Sequence, residues 1–145
     1  MKSEQLLRQE IICEAKSWIN TPYRHQASVK GAGCDCLGLV RGVWRHLYGA
    51  EPETCPVYSP DWAERGQDEL LQGAAERYLV RARALTPASV LLFRMYASSP
   101  IKHCGILIND HEFVHAYWGR AVSCSAFGRW WQRRLAAVYH FPLLN

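Results

Sequence analysis

The sequence has no long apolar run, and nothing in it approaches the roughly 18 residues that a membrane-spanning helix needs. It has no internal repeat and no low-complexity linker, so residues 1–145 read as a single domain. Its first ten residues, MKSEQLLRQE, lack the apolar centre of a secretory signal, so the expectation is a protein made in the cytoplasm without a signal peptide. Acid is missing toward the C-terminus. After Glu112 no Asp or Glu occurs, while Arg120, Arg129, Arg133 and Arg134 follow. A second cysteine knuckle of the kind that closes a zinc site is also missing.

Against those absences stand 145 residues that are 49% apolar and 21% charged, enough to bury a core without staples. The chain carries six cysteines: Cys13, Cys34, Cys36, Cys55, Cys104 and Cys124. A multi-disulfide framework belongs to short secreted chains, and this one has neither their size nor an export signal. The cysteines therefore read as buried small residues, metal ligands, or one nucleophile among spectators.

Leu7, Ile11, Ala15 and Trp18 step at helical spacing, so the stretch from Ser3 to Trp18 is an amphipathic helix that Asn20-Thr21-Pro22 ends. Residues 23–35 read as an irregular loop. Leu39, Val40, Val43, Trp44, Leu47 and Tyr48 make a second helix from Cys36 to Tyr48, with Asp35 as cap and Gly49 as stop. Asp61 is placed to cap a third helix whose inner face is Trp62, Leu70, Leu71, Ala74, Tyr78 and Leu79. After Pro87 short strands are expected at 89–94, 104–109, 112–117, 120–124 and 136–141, with turns at Asn109-Asp110 and Trp118-Gly119. Helices followed by an antiparallel meander predict an α+β fold, with helices packed on one side of a small sheet.

The stretch Gly33-Cys34-Asp35-Cys36-Leu37-Gly38 sets a cysteine at a helix start behind a glycine-bearing loop. Unpaired N–H groups there favour the thiolate and can hold a developing oxyanion. The local sequence alone is equally compatible with a cysteine that merely packs. A nucleophile also needs a base. His103 opens one expected strand and His115 lies in the next, across the Asn109-Asp110 turn, so the two rings can meet. A helix-start cysteine followed by two paired-strand histidines favours the catalytic reading.

Thr21-Pro22-Tyr23-Arg24, Asp35-Cys36-Leu37-Gly38-Leu39-Val40, His103-Cys104-Gly105-Ile106 and Val114-His115-Ala116, in that order, resemble the NlpC/P60 cysteine peptidases. The likeness is to the branch associated with phage and gene-transfer agents. It implies a papain-like fold and hydrolysis of the peptidoglycan stem peptide at γ-D-glutamyl–diamino acid. It also implies a phage setting, with phage tail proteins as partners and carriage in a phage-like particle. Carried over by position, it makes Cys36 the nucleophile, His103 the general base and His115 the residue that orients His103. It sets Tyr23 at the oxyanion site and Asp35 where a substrate amine is recognised. It implies no metal or organic cofactor, and a monomer is expected. An amidase acting on the muramoyl–L-alanine bond, or a tail component that cuts nothing, are the alternatives on the same scaffold. This chain departs from the family in having Leu37 where serine is common, His25-Gln26-Ala27 after Tyr-Arg, and Ala88-Ser89 for Gly-Asp. His25 is read as a loop residue.

Other chemistries fit less well. Cys34, Cys36, His103 and Cys104 offer four soft ligands, but Cys-x-Cys is tight for zinc and adjacent strand residues face opposite ways. Cys34 is read as a small loop residue in preference to a resolving thiol. Trp130-Trp131-Gln132-Arg133-Arg134 can stack bases and contact phosphates, yet a net charge of +4 is modest, so no nucleic-acid partner is expected.

Overall fold

A computed structural model describes residues 2–52 and 70–143. Helix α1 (Glu4–Ser17) opens on Ser3, whose hydroxyl accepts from the Leu6 N–H at 3.1 Å. It buries Leu7, Ile11 and Ala15 as the spacing predicts, and Trp18 at its C-cap joins them. Asn20 adopts the left-handed backbone (φ 76°), which turns the chain before Pro22 can oppose the helix. The segment expected as irregular loop holds a small antiparallel pair, β1 (Ser28–Val29) and β2 (Gly33–Cys34). Two residues per strand carry no alternation, so sequence pattern does not reveal them.

Helix α2 (Cys36–Tyr48) starts and stops as expected, with Asp35 as N-cap and Gly49 at φ 89° ending it. It packs on α1 and on the strand His103–Leu107. Contact with α1 is close because a Cβ on Gly42 would sit 2.0 Å from the Trp18 ring.

Helix α3 (Leu70–Tyr78) is the described part of the third expected helix; Asp61, Trp62 and the start lie outside the described residues. Its inner face is Leu71 and Ala75, whereas Leu70, expected inside, is exposed. The stripe is turned so that Glu76 reaches the Tyr139 hydroxyl at 2.7 Å.

A six-stranded antiparallel sheet follows: β3 (Val80–Arg81), β4 (Val90–Phe93), β5 (His103–Leu107), β6 (Glu112–His115), β7 (Ser123–Ala126) and β8 (Leu135–His140). Its order is β3-β8-β4-β5-β6-β7, so the expected meander covers only β4 to β7, and β8 returns to separate β3 from β4. Strand β7 begins later than the 120–124 expected. Gly119 (φ 72°) and an Arg120 N–H to Tyr117 carbonyl bond of 2.9 Å keep the turn going. Val122 is then tied to the loop after α1, exchanging bonds with Asn20 and Thr21. Ala88 enters β4 with φ 81°, a conformation that favours glycine. Ser89 behind it supplies the turn acceptor that an acid would give, its Oγ taking the Thr86 N–H at 3.2 Å.

The sheet is buried on both faces. Val90, Leu92, Cys104, Ile106 and Val114 meet the helices, forming the main core with Leu7, Ile11, Trp18, Leu39 and Val43. Leu91, Phe93, Leu107, Phe113 and Phe127 form a second core on the opposite face, covered by Trp131 of the short helix α4 (Arg129–Gln132). The period of two along β4 and β5 thus serves two cores at once.

Candidate active site

Cys36 is the first residue of α2 and is buried. Its local frame is built by Asp35, which ends one segment and starts the next. One carboxylate oxygen accepts the Gly38 N–H at 2.7 Å and the other accepts the Gln26 N–H at 2.7 Å. The carboxylate is therefore both helix cap and loop tie. Gly38 is required here because its Cβ would meet the Ala27 carbonyl oxygen at 1.9 Å; the close neighbour is the protein's own loop backbone. His25, read as a loop residue, stands 4.0 Å from the Asp35 carboxylate through Nδ1.

Cys104 of β5 and Lys102, just before the strand, both meet Cys36. The Cys104 thiol donates to the Cys36 carbonyl at 3.3 Å, and the Cys36 thiol faces the Lys102 carbonyl at 3.8 Å. His103, on the opposite face of the strand from Cys104, is near enough to the same thiol to act on its acidity. Hydrogen bonding with Cys104, and then with the His103 ring, holds the Cys36 thiol well below its ordinary pKa; burial and the Asp35 charge work against this. Cys104 is driven the other way, chiefly by the same contact with Cys36 and then by burial. Of the two thiols, Cys36 is the one that ionises.

His103 and His115 are joined directly, Nε2 to Nδ1 at 2.8 Å. The register brings them together: β5 pairs with β6 through Ile106↔Val114 and Leu107↔Phe113, which sets His103 and His115 on one face. Gly105 opens the space, since a Cβ there would lie 2.9 Å from the Phe113 ring and 3.0 Å from the His115 Cβ. Nε2 of His103 being engaged with His115, Nδ1 is the nitrogen left for the thiol. Burial, and then the neighbouring His103, push His115 down to about 3, so it is neutral at physiological pH. Its far nitrogen, Nε2, meets the Ser125 hydroxyl at 2.8 Å.

Aromatic rings wall the histidines off from water. The Trp131 ring lies 5.5 Å from His103 and 5.1 Å from His115, with Phe93, Phe113 and Tyr117 closing the rest. The Trp130-Trp131 pair is thereby divided. Trp131 turns inward to the histidines, while Trp130 stays exposed with the Arg134 guanidinium 3.6 Å from its ring centre.

Tyr23 forms an isolated bridge with Cys34, and its ring packs edge-on against Trp118 at 5.4 Å. Burial, then the Cys36 thiol and Asp35, raise its phenol well above the ordinary value, so it remains an O–H donor beside the Cys36 thiol. Cys34 is fully buried, and burial followed by Asp35 pushes its thiol up to about 12. Its backbone holds the Tyr23 segment, donating to Pro22 and accepting from Arg24, each at 3.0 Å.

The structure brings Cys36, His103, His115, Tyr23 and Asp35 into one locality. Ser125, Cys104 and Trp131 contribute to it without having been singled out for that role. Ser125 sits in a short strand of small polar residues, and the inward turn of Trp131 depends on a four-residue helix too short to give a pattern. Among the described residues no group of three or more His, Cys, Asp or Glu side chains is arranged to hold a metal ion, and no helix is long and apolar enough to cross a membrane.

Residues 20–140 match the family model described as NlpC/P60 family. The chain is 26% identical over 136 residues to the gamma-DL-glutamyl hydrolase of Bacillus subtilis (strain 168), covering 93% of this chain and 30% of that protein. It is 28% identical over 129 residues to the murein DD-endopeptidase MepS/murein LD-carboxypeptidase of Escherichia coli (strain K12), covering 88% of this chain and 60% of that one. It thus spans under two thirds of the length of either relative. Among solved structures, the NlpC/p60 domain of peptidoglycan hydrolase SagA superposes with a TM-score of 0.61 at 16% identity, over 92% of this chain and 98% of that chain. A lipoprotein-like NLP/P60 protein from Staphylococcus aureus Mu50 gives 0.63 at 17%, over 97% and 43%. At those identities the likeness is one of fold.

Proposed function

The chain belongs to the NlpC/P60 family, and from that premise we propose that it is a cysteine peptidase that hydrolyses the peptidoglycan stem peptide between γ-D-glutamate and the diamino acid. The observation that carries this reading is the buried Cys36 at the α2 N-terminus, acidified by its neighbours and served by the His103–His115 pair at 2.8 Å. The Cys36 thiolate attacks the peptide carbonyl while His103 holds the thiol proton on Nδ1. The Cys36 N–H and the Tyr23 hydroxyl donate to the tetrahedral oxyanion. His103 passes its proton to the leaving amine, and then draws a proton from the water that releases the acyl group. His115 fixes the His103 ring through Nε2. Asp35 holds the nucleophile's helix start and leaves a negative charge beside the cleft, where a substrate amine is favoured.

The experiment is digestion of purified muropeptides, with the products weighed by mass spectrometry. New termini at γ-D-glutamyl–diamino acid are expected, and none with Cys36→Ala. Cleavage at the muramoyl–L-alanine amide would instead make the protein an amidase, and an intact substrate would leave a scaffold without activity. The motif resemblance further supports a phage or prophage setting, with the protein made in the cytoplasm, carried as a monomer in a particle, and touching tail proteins. Mass spectrometry of purified particles from an induced lysate tests this, and a chain found only outside the particles refutes it.

A further inference from the structure

The His115 ring is held at both ends. Nδ1 lies 2.8 Å from His103 Nε2, and Nε2 lies 2.8 Å from the Ser125 hydroxyl. A neutral imidazole has one donor and one acceptor, so the two contacts must run in the same direction along the chain of groups. Only one direction suits the chemistry. His103 can take the Cys36 proton on Nδ1 only if its own proton resides on Nε2, and that N–H must then be accepted by His115 Nδ1. His115 consequently carries its proton on Nε2 and donates to Ser125. In the reverse direction Ser125 donates, His115 carries its proton on Nδ1, and His103 is left protonated on the nitrogen that faces the thiol.

We propose that Ser125 is a positioning residue that, by accepting from His115 Nε2–H, sets the tautomer of both histidines and keeps His103 able to receive the thiol proton. Its place follows from the ladder. β7 pairs with β6 through Phe113↔Ser125 and His115↔Ser123, so Ser125 is the diagonal neighbour of His115 on the same face. Ser123, directly across from His115, is exposed, while Ser125 is half-buried against the ring. The inference rests on the proposed peptidase mechanism, which selects the direction of the protons; the two contacts to the His115 ring stand without it.

The test compares wild type, Ser125→Ala, Ser125→Thr and Ser123→Ala. The readouts are nitrogen-15 ring correlations of His115, the pH profile of Cys36 alkylation by iodoacetamide, and the split of muropeptide hydrolysis into kcat and KM. Wild type should show His115 protonated at Nε2. Ser125→Ala should mix the tautomers, slow alkylation at neutral pH and lower kcat about tenfold with KM unchanged. Ser125→Thr should restore all three, and Ser123→Ala should behave as wild type. A wild-type His115 protonated at Nδ1 overturns the inference, as does a Ser125→Ala protein with unaltered alkylation. Equal losses in Ser123→Ala and Ser125→Ala would show a role for β7 as a strand only, and would also overturn it. Ring spectra and alkylation do not depend on the substrate, so failure to cut muropeptides would strike the proposed function and leave these two readouts decisive.

Discussion

Replacing His115 by asparagine should flatten the dependence of stability on pH between 7 and 5. The Asn oxygen can still accept from His103 Nε2–H, so the variant removes a titrating group while keeping its main contact. In the folded protein His115 is depressed to about 3 from the ordinary 6.5, by burial first and then by His103. A base depressed on folding binds its proton in the unfolded chain before the folded one. Unfolding therefore takes up a proton throughout the window from 6.5 down to 3, and stability falls as the pH falls. Each pH unit well inside that window is worth about 1.4 kcal/mol. Because pH 7 lies above the unfolded value, the loss between pH 7 and pH 5 is about 2 kcal/mol. Groups that do not touch His115 titrate equally in both proteins and cancel in the difference. The assay is urea denaturation of wild type and His115→Asn at the two pH values, followed by circular dichroism. Wild type should lose about 2 kcal/mol more than the variant on going to pH 5. Parallel losses in the two proteins would refute the claim that His115 is held neutral by the aromatic wall around it.

The other predictions concern the same site. Cys104→Ala removes the largest influence that acidifies Cys36, so its pKa should rise from about 5, and alkylation at about pH 6 should slow about tenfold for each unit by which the pKa passes that pH; the ultraviolet absorbance of the thiolate gives the pKa directly. Asp35→Asn should lower stability by about 2 kcal/mol, because one of the two backbone N–H groups it serves, buried at Gly38 and half-buried at Gln26, then faces an amide donor. The same change removes a charge that opposes the thiolate, so Cys36 should alkylate faster at low pH even as the melting temperature drops. Gly105→Ala drives a methyl against Phe113 and His115. It should cost about 1–3 kcal/mol and reduce muropeptide hydrolysis more than tenfold, with a shift in the His115 ring signals.

Much of this arrangement is legible in the sequence because it rests on local rules. The spacing of Leu7, Ile11, Ala15 and Trp18 defines the buried face of α1, and Asp35 and Gly49 bracket α2. Cys36 is recognisable because a helix start is a chemical environment that sequence alone can place. Partners set by the return of the chain are less visible. Nothing local shows that β8 comes back between β3 and β4, or that Phe113 faces Ser125 and thereby sets a hydroxyl against His115. Leu70 and Leu71 are equivalent to a periodicity argument; the packing of Leu71 with Ala75 into the main core decides which one is buried. Trp131 reads as readily as an exposed stacking platform as it does as a cover for two imidazoles, because its direction is fixed by the second core and not by its own segment. Ala88 stands in a left-handed backbone that its identity would not suggest, and Ser89 quietly takes over as acceptor there.

The position of β8 has a consequence for the order of assembly during synthesis. It is the last strand described, yet it fills an interior place in the sheet, paired on one side to β3 and on the other to β4. A nascent chain can join β4 through β7 into a meander and bring the two histidines together while α4 and β8 are still in the ribosome. Until Trp131 and Tyr139 emerge, that meander has an open β4 edge and an uncovered face. The Tyr48 hydroxyl, at the end of α2, donates to the Pro142 carbonyl, far along the chain. Contacts of such long sequence separation make folding slow compared with helix formation. The cysteine-bearing helix and the two histidines are thus made early, and the aromatic cover over those histidines is completed late, so a ribosome-stalled chain ending before Trp131 should expose His115 to solvent.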